Sequence, residues 1–213
     1  WGERLGNGYV GALMGLPLGG VWKTTSAGTT WYPIFDDVKE SSSVGAVEVA
    51  PSDPNVIYVG MGDMVTGNGI NEGNGVYKSA DAGKTWTHLG LDATKQIPSI
   101  VVDPKDPNVV LVAAQGNIRT LNEDRGVYRS TDGGRTWKKT LFVDNRTGIQ
   151  KIVYAFDHPN VMLATTVRHY NDPAAGRGGA GAPPAAAGRG AGPAGPTGTA
   201  LYKSTDGGVT WTE

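Results

Sequence analysis

Ser79-Ala80-Asp81-Ala82-Gly83-Lys84-Thr85-Trp86 decides the fold, because it returns twice with its key positions intact. Ser130-Thr131-Asp132-Gly133-Gly134-Arg135-Thr136-Trp137 and Ser204-Thr205-Asp206-Gly207-Gly208-Val209-Thr210-Trp211 share its pattern, Ser-x-Asp-x-Gly-x-Thr-Trp. A fourth copy at 24–31 keeps Gly28, Thr30 and Trp31 but has Thr24 for the Ser and Ser26 for the Asp. Each copy follows an aliphatic, aromatic, basic triplet: Val21-Trp22-Lys23, Val76-Tyr77-Lys78, Val127-Tyr128-Arg129 and Leu201-Tyr202-Lys203. The triplet reads as a strand and the octapeptide as the hairpin turn after it. Asp and Ser side chains accept hydrogen bonds from backbone N–H groups just ahead of them, and glycine supplies a backbone with positive φ. Thr favours re-entry into a sheet, and Trp is expected to bury its ring over the turn.

Working outward, a second element repeats out of phase with the first. Asp53-Pro54-Asn55-Val56-Ile57-Tyr58-Val59 recurs as Asp106-Pro107-Asn108-Val109-Val110-Leu111-Val112, and again, one residue longer, as Asp157-His158-Pro159-Asn160-Val161-Met162-Leu163. The tryptophans that close the octapeptides are spaced 55, 51 and 74 residues apart. Four short strands in a period of about 40–50 residues make a propeller blade. The fold class is therefore all-β: a β-propeller of four-stranded antiparallel blades with Asp-box hairpins. About three and a half blades of a larger ring are expected here. Residues 1–43 read as a partial blade with strands B to D, its strand B at 8–11. Residues 44–95 and 96–148 read as whole blades, and 149–213 as a truncated one. The long last spacing comes from about 171–200, an Ala/Gly/Pro-rich stretch with almost nothing to bury and expected to be disordered.

Bulk composition excludes more than it identifies. Nineteen Lys and Arg against twenty Asp and Glu leave a net charge of −1, which gives no electrostatic reason to expect nucleic acid as a partner. No apolar run is long enough to span a bilayer, and without cysteine there is neither a disulfide framework nor a thiolate metal site. His88, His158 and His169 show no metal-ligand spacing, so neither metal nor cofactor is expected.

The boxes, together with Gly-Val-Trp-Lys-Thr-Thr at 20–25 and Gly-Val-Tyr-Lys-Ser-Ala-Asp-Ala-Gly-Lys-Thr-Trp at 75–86, resemble the bacterial sortilin-like propellers. This is the BNR or Asp-box group, often labelled glycosyl hydrolase. The chain is also similar to xyloglucanase propellers and to photosystem II assembly-factor propellers. The resemblance implies a secreted or periplasmic protein. It is specific for fold and poor for function, since receptors, hydrolases and assembly factors share the box.

Topology then divides the molecule into two faces. A–B and C–D turns leave a propeller on one face, B–C and D–A loops on the other. The box residues Ser79, Asp81, Gly83, Trp86, Ser130, Asp132, Gly134, Trp137, Ser204, Asp206, Gly208 and Trp211 are thus structural, since one site does not need the same residue once per blade. Function is expected in the loops of the second face. The B–C loop of the second blade offers Asp63, Asn68, Asn71 and Glu72, and the next offers Asn117, Arg119, Glu123 and Asp124. The fourth blade adds Arg168, His169 and Tyr170. Asn68, Asn71, Asn117, Arg119, Arg168, His169 and Tyr170 suit binding of a protein, a peptide or a carbohydrate. Asp63, Glu72, Glu123 and Asp124 are the weaker catalytic candidates, since a glycosidase needs two carboxylates about 5–9.5 Å apart and no pair stands out. The first reading is an interaction scaffold. The alternative is a secreted glycoside hydrolase acting on a polysaccharide.

Overall fold

The structure, a computed structural model, describes residues 2–4, 10–16, 19–38, 43–62, 71–169 and 200–213. It holds four antiparallel sheets, each with its strands side by side in chain order. The first contains β1 (Gly2–Arg4), β2 (Val10–Leu16), β3 (Gly20–Thr24) and β4 (Tyr32–Pro33). The second contains β5 (Val44–Val49), β6 (Ile57–Met61), β7 (Val76–Ser79) and β8 (Thr87–His88). The third contains β9 (Ser99–Val102), β10 (Val110–Ala114), β11 (Gly126–Ser130) and β12 (Lys138–Leu141). The fourth contains β13 (Thr147–Ala155), β14 (His158–Arg168) and β15 (Leu201–Ser204), and a bridge from Lys203 to Thr212 begins a further strand. Together they form an open arc of propeller blades.

The first sheet departs from expectation. Gly2–Arg4 pairs with Val10–Ala12, so a strand A is present where the sequence suggested none. Gly-Glu-Arg is too short and too polar to show a period of two, and only pairing reveals it. Strand B runs over Val10–Leu16, later than the 8–11 read from the sequence; residues 8 and 9 lie outside the described residues, as do 170–199 of the Ala/Gly/Pro-rich stretch. The third Asp-Pro-Asn element also differs. Its extra residue lengthens β13 and β14 into a hairpin whose two turn residues are Phe156 and Asp157.

Three apolar layers hold the arc together, one between each successive pair of sheets. Val21, Phe35, Val44, Ile57, Val59, Met61 and Tyr77 fill the first layer. Tyr58, Val76, Ile97, Ile100, Val102, Val110 and Val112 fill the second, and Val101, Leu111, Val127, Ile149, Ile152 and Met162 the third. Leu111 is fully buried, and burial of a leucine contributes about 2–3 kcal/mol.

The boxes form as their residue types predict. In the second blade the Ser79 hydroxyl donates to Asp81 Oδ1 and accepts from the backbone N–H groups of Asp81 and Gly83. Asp81 accepts from the amides of Lys84 and Thr85 and from the Thr85 hydroxyl. The same set recurs around Ser130 and Asp132, and around Ser204 and Asp206. The Thr hydroxyl first, then the Thr amide and the Ser hydroxyl, hold each Asp carboxylate well below the usual range. In the first box Ser26 replaces the carboxylate with a hydroxyl that still receives the Thr30 amide.

The tryptophan lies over its own turn as expected, Cζ2 of Trp137 and of Trp211 standing beside the Cβ position of Gly134 and of Gly208, and it also reaches beyond that turn. Trp86 donates its indole N–H to the Ile34 carbonyl of the preceding blade at 2.6 Å. Trp137 does the same to Leu89 and Trp211 to the Thr140 hydroxyl. An indole is long enough to cross the interface, and its N–H needs a partner when half-buried. The basic residues of the first three triplets reach the other way. Lys23 Nζ donates to the Ala82 carbonyl, Arg129 Nε donates to that of Gly207, and Lys78 Nζ lies beside Gly133, the same position of the third box.

Candidate functional site

The two faces separate as the topology requires. At one end the box amides of Ala82, Gly133 and Gly207 donate to the carbonyls of Asn55, Asn108 and Asn160, joining each C–D turn to the A–B turn of its own blade. At the other end B–C and D–A loops pair: Gly73 donates to Lys95, Asn122 to Asn145, and His169 to Arg146. Every described site candidate from the sequence lies at this second end.

One group of side chains bridges the second and third blades. Asn117 Nδ2 donates to Glu72 Oε1 at 2.8 Å, and Lys95 Nζ sits 3.5 Å from Glu72 Oε2. The Asn117 carboxamide oxygen also accepts from the Arg119 amide, while Arg119 itself is exposed. Asn71, half-buried beside Glu72, has a partner of its own. The Glu72–Lys95 pair is exposed enough that its own worth is at most about 1 kcal/mol. Its use is geometric, since it draws two loops into one polar surface.

A second group sits on the loop ends of the fourth blade. Asp144 Oδ1 accepts from the amides of Arg146 and Thr147, each at 2.7 Å. Partial burial raises its proton affinity, but those amides, the Thr147 hydroxyl and the Arg168 charge outweigh it and hold the carboxyl low. His169 is half-buried with its Nε2 unpartnered, and burial plus the charge of Arg125 pulls its pKa down to about 4. The imidazole is thus neutral and can accept a hydrogen bond at ordinary pH.

Between the groups stands Arg125, which is not among the candidates read from the sequence. It is 1 % exposed, and its guanidinium donates to four backbone carbonyls. Nε donates to Asn145 at 3.1 Å, Nη2 to Asn117 at 2.8 Å and Thr120 at 2.9 Å, and Nη1 to Gln115. Burial lowers its pKa to about 10 while Asp144 pulls the other way, so it remains charged at neutral pH. Asn122 Nδ2 donates to two of the same carbonyls, those of Asn117 and Thr120. The loop from 115 to 125 is therefore wound around one cation and presents Asn117 outward in a fixed position.

The structure does not gather all the candidates. Glu123 is exposed, its carbonyl accepting from Lys139, and Asp124 lies by Tyr128, whose hydroxyl is pushed up to about 12 by burial and then by that carboxylate. Both sit at the strand-C end of the loop. Asp63, Asn68 and Tyr170 lie outside the described residues. Lys95 and Arg125 are the residues that sequence reasoning missed. Lys95 carries no local signal of its own, since its partner Glu72 lies 23 residues upstream. No group of three or more His, Cys, Asp or Glu among the described residues is placed to hold a metal ion. Among the described residues no helix is long and apolar enough to cross a membrane.

Comparison with known proteins agrees with this architecture. The family model described as Sortilin-Vps10 (Sortilin, neurotensin receptor 3) matches residues 19–174, and that of the BNR/Asp-box repeat matches 202–213. A xyloglucanase of Paenibacillus sp is 29 % identical over 209 residues, which are 92 % of this chain and 19 % of the enzyme. The xyloglucanase Xgh74A of Acetivibrio thermocellus is 27 % identical over 91 % of this chain and 23 % of its own length. The chain thus spans about a fifth of the length of these curated relatives. Among solved structures, an ancestral GH74 enzyme superposes with a TM-score of 0.60 at 20 % identity, over 95 % of this chain and 22 % of that one. YCF48 from Cyanidioschyzon merolae gives 0.50 at 14 % identity, over 95 % and 55 %. At such identities these structures speak for the fold alone.

Proposed function

We propose, from the premise that this chain belongs to the Sortilin-Vps10 family of propellers, that it is a recognition segment whose loop face holds a carbohydrate chain. One observation carries the reading: Asn117, Glu72 and Lys95 meet across two blades above a loop fixed by buried Arg125. Amide, carboxylate and ammonium groups side by side supply the donors and acceptors that sugar hydroxyls need, and a pre-wound loop lowers the ordering cost of binding. The xyloglucanase relatives favour a glycan over a peptide as the occupant. An extracytoplasmic location belongs to the same proposal.

The second reading is that the segment is part of a glycoside hydrolase, favoured by the relatives' match across most of the chain. It requires a second carboxylate facing Glu72, and Glu123 and Asp124 are the other described carboxylates on the loop of the next blade. Calorimetric titration with xyloglucan oligosaccharides, cello-oligosaccharides and a set of charged peptides separates the readings. Glycan binding that falls at least about tenfold, roughly 1.4 kcal/mol, in Glu72→Gln and Asn117→Ala supports recognition here. Binding of peptides alone, or glycan binding indifferent to both substitutions, would overturn it. Release of reducing ends that is lost in Glu72→Gln would establish the hydrolase reading in its place.

A further inference from the structure

In every blade the basic residue of the strand-C triplet stands opposite the residue that follows the box tryptophan. Lys23 faces Tyr32, Lys78 faces Thr87 and Lys203 faces Thr212. The third sheet differs, since there two cations meet, Arg129 opposite Lys138. Like charges set directly across a strand pair repel each other. Neither residue forms an ion pair with any described residue. Arg129 gives its Nε–H to the Gly207 carbonyl of the fourth blade at 3.0 Å, and among the described residues no acceptor takes its two Nη groups.

The junction between the third and fourth sheets is also open where the two before it are filled. The third residue after the box tryptophan is Ile34 in the first sheet and Leu89 in the second, and each presses on the next box. A Cβ on Gly83 would fall 2.5 Å from Ile34 Cδ1, and one on Gly134 would fall 2.4 Å from Leu89 Cδ1. Thr140 holds that place in the third sheet and is not among the atoms nearest Gly208, which meets Leu111, Met162 and Trp211 instead. The box residue before the last Thr is Lys84, then Arg135, then Val209. Two shorter side chains, Thr140 and Val209, thus border a cleft of about 210 Å³ that Arg129, Thr131, Trp137 and Lys138 also line. Its walls are the third sheet, the box of that sheet and the box of the fourth. Asp132, the carboxylate of the third box, is already held by Ser130 and Thr136.

We propose that this cleft binds a sugar acid, with the carboxylate seated between Arg129 and Lys138. A planar guanidinium matches a carboxylate through two parallel N–H bonds, and an anion placed there replaces the repulsion of the two cations by attraction. The hydroxyls around it suit the rest of the sugar. Thr131 is exposed, and Thr140 Oγ1 accepts the Trp211 indole N–H while keeping a proton to donate. Trp137, half-buried, offers an apolar wall to one face of the ring. The cleft is smaller than the roughly 300–1,000 Å³ of drug-sized sites, which favours a single sugar residue over a chain. It lies on the box face, so it is independent of the loop-face reading given above.

Titration of the full chain with glucuronate, followed by NMR at the Arg129 Nε–H and the Trp137 indole N–H, tests the proposal. Saturable shifts at both groups are expected, with a Kd of about 1 mM for so small a ligand. Glucose, the neutral analogue, should leave both signals in place. Arg129→Lys keeps a donor for the Gly207 carbonyl, as Lys23 serves that of Ala82, but gives up the fork. It should weaken glucuronate at least about tenfold, the worth of one charge-assisted hydrogen bond, with the urea midpoint unchanged. Lys138→Thr, which copies Thr87 of the second sheet, should weaken it about threefold or more. Val209→Phe, at an exposed position, should block the cleft without touching either cation. Shifts confined to the 115–125 loop, an equal response to glucose, or binding that survives all three substitutions would overturn the proposal. So would inorganic sulfate binding more tightly than glucuronate, since the cleft would then take a bare ion and not a sugar.

Discussion

Arg125→Lys tests whether one buried cation really shapes the candidate site. The native guanidinium is almost wholly enclosed and serves the carbonyls of Gln115, Asn117, Thr120 and Asn145. A hydrogen bond to a charged group is worth about 1.5–3 kcal/mol net. Four of them do not simply add, because desolvating the guanidinium opposes them. Lysine keeps the charge but offers three donors on a flexible stem, so it can serve some of these carbonyls but not the planar spread of four. A loss of about 2–3 kcal/mol in unfolding free energy is expected for lysine. For alanine, which removes all four bonds and leaves Asn122 to serve the Asn117, Thr120 and Asn145 carbonyls alone, about 3–5 kcal/mol is expected. Against a total of about 5–15 kcal/mol for a typical domain, the lysine variant should still fold and is the one to measure. Urea unfolding followed by tryptophan fluorescence gives the energy, and hydrogen exchange of residues 115–125 and 144–147 locates it. The local readout is the more telling. Exchange should rise in those two loops and leave β9 to β11 protected. A lysine variant within about 0.5 kcal/mol of wild type, with unaltered loop exchange, would refute the reasoning, since surface substitutions commonly fall in that range.

Two further outcomes follow from the boxes. Gly83→Ala combines a left-handed backbone, φ 90°, with a methyl 2.5 Å from Ile34 Cδ1 and should cost about 2–4 kcal/mol, whereas Gly28→Ala, φ 86° in open space, should cost about 1 kcal/mol. Equal costs in chemical denaturation would mean that the interface contact is negligible. The carboxyls of Asp81, Asp132 and Asp206 bind protons less readily in the folded chain than in the unfolded one. The stability they contribute is complete above the ordinary carboxylate value of about 3.9 and is lost as the pH falls below it. The urea midpoint should therefore drop from pH 4 towards pH 2, and less steeply in Asp132→Asn. A midpoint that stays level over that interval, or an unchanged slope in the variant, contradicts the account.

What could be read from the sequence was whatever is set by short-range chemistry. The box pattern Ser-x-Asp-x-Gly-x-Thr-Trp names its own hydrogen bonds, because every donor and acceptor lies within four residues. The division into two faces followed from strand order alone. The direction in which Trp86, Trp137 and Trp211 point was not legible, since their acceptors lie 52, 48 and 71 residues upstream. Strand β1 was missed because three polar residues carry no period. Arg125 was missed for a different reason. A lone arginine in a loop reads as a solvated charge, and only the fold brings Asn145, twenty residues on, against it. Glu72 and Asn117 were picked out separately; that they touch depends on how neighbouring blades are set side by side, and no local pattern records this.

The paired straps across each interface, a tryptophan reaching back and a lysine or arginine reaching forward, have a consequence for how such a molecule changes over time. All three junctions are built from the same few contacts, so a blade recognises the general form of its neighbour and not its individual sequence. Coupling is confined to nearest neighbours, as in a linear array of repeats. A gene segment encoding one blade could then be duplicated, deleted or exchanged without inventing a new joint. Loops on the opposite face are free to diverge under the same arrangement, which lets a single scaffold pass from one ligand to another while its joints stay as they are.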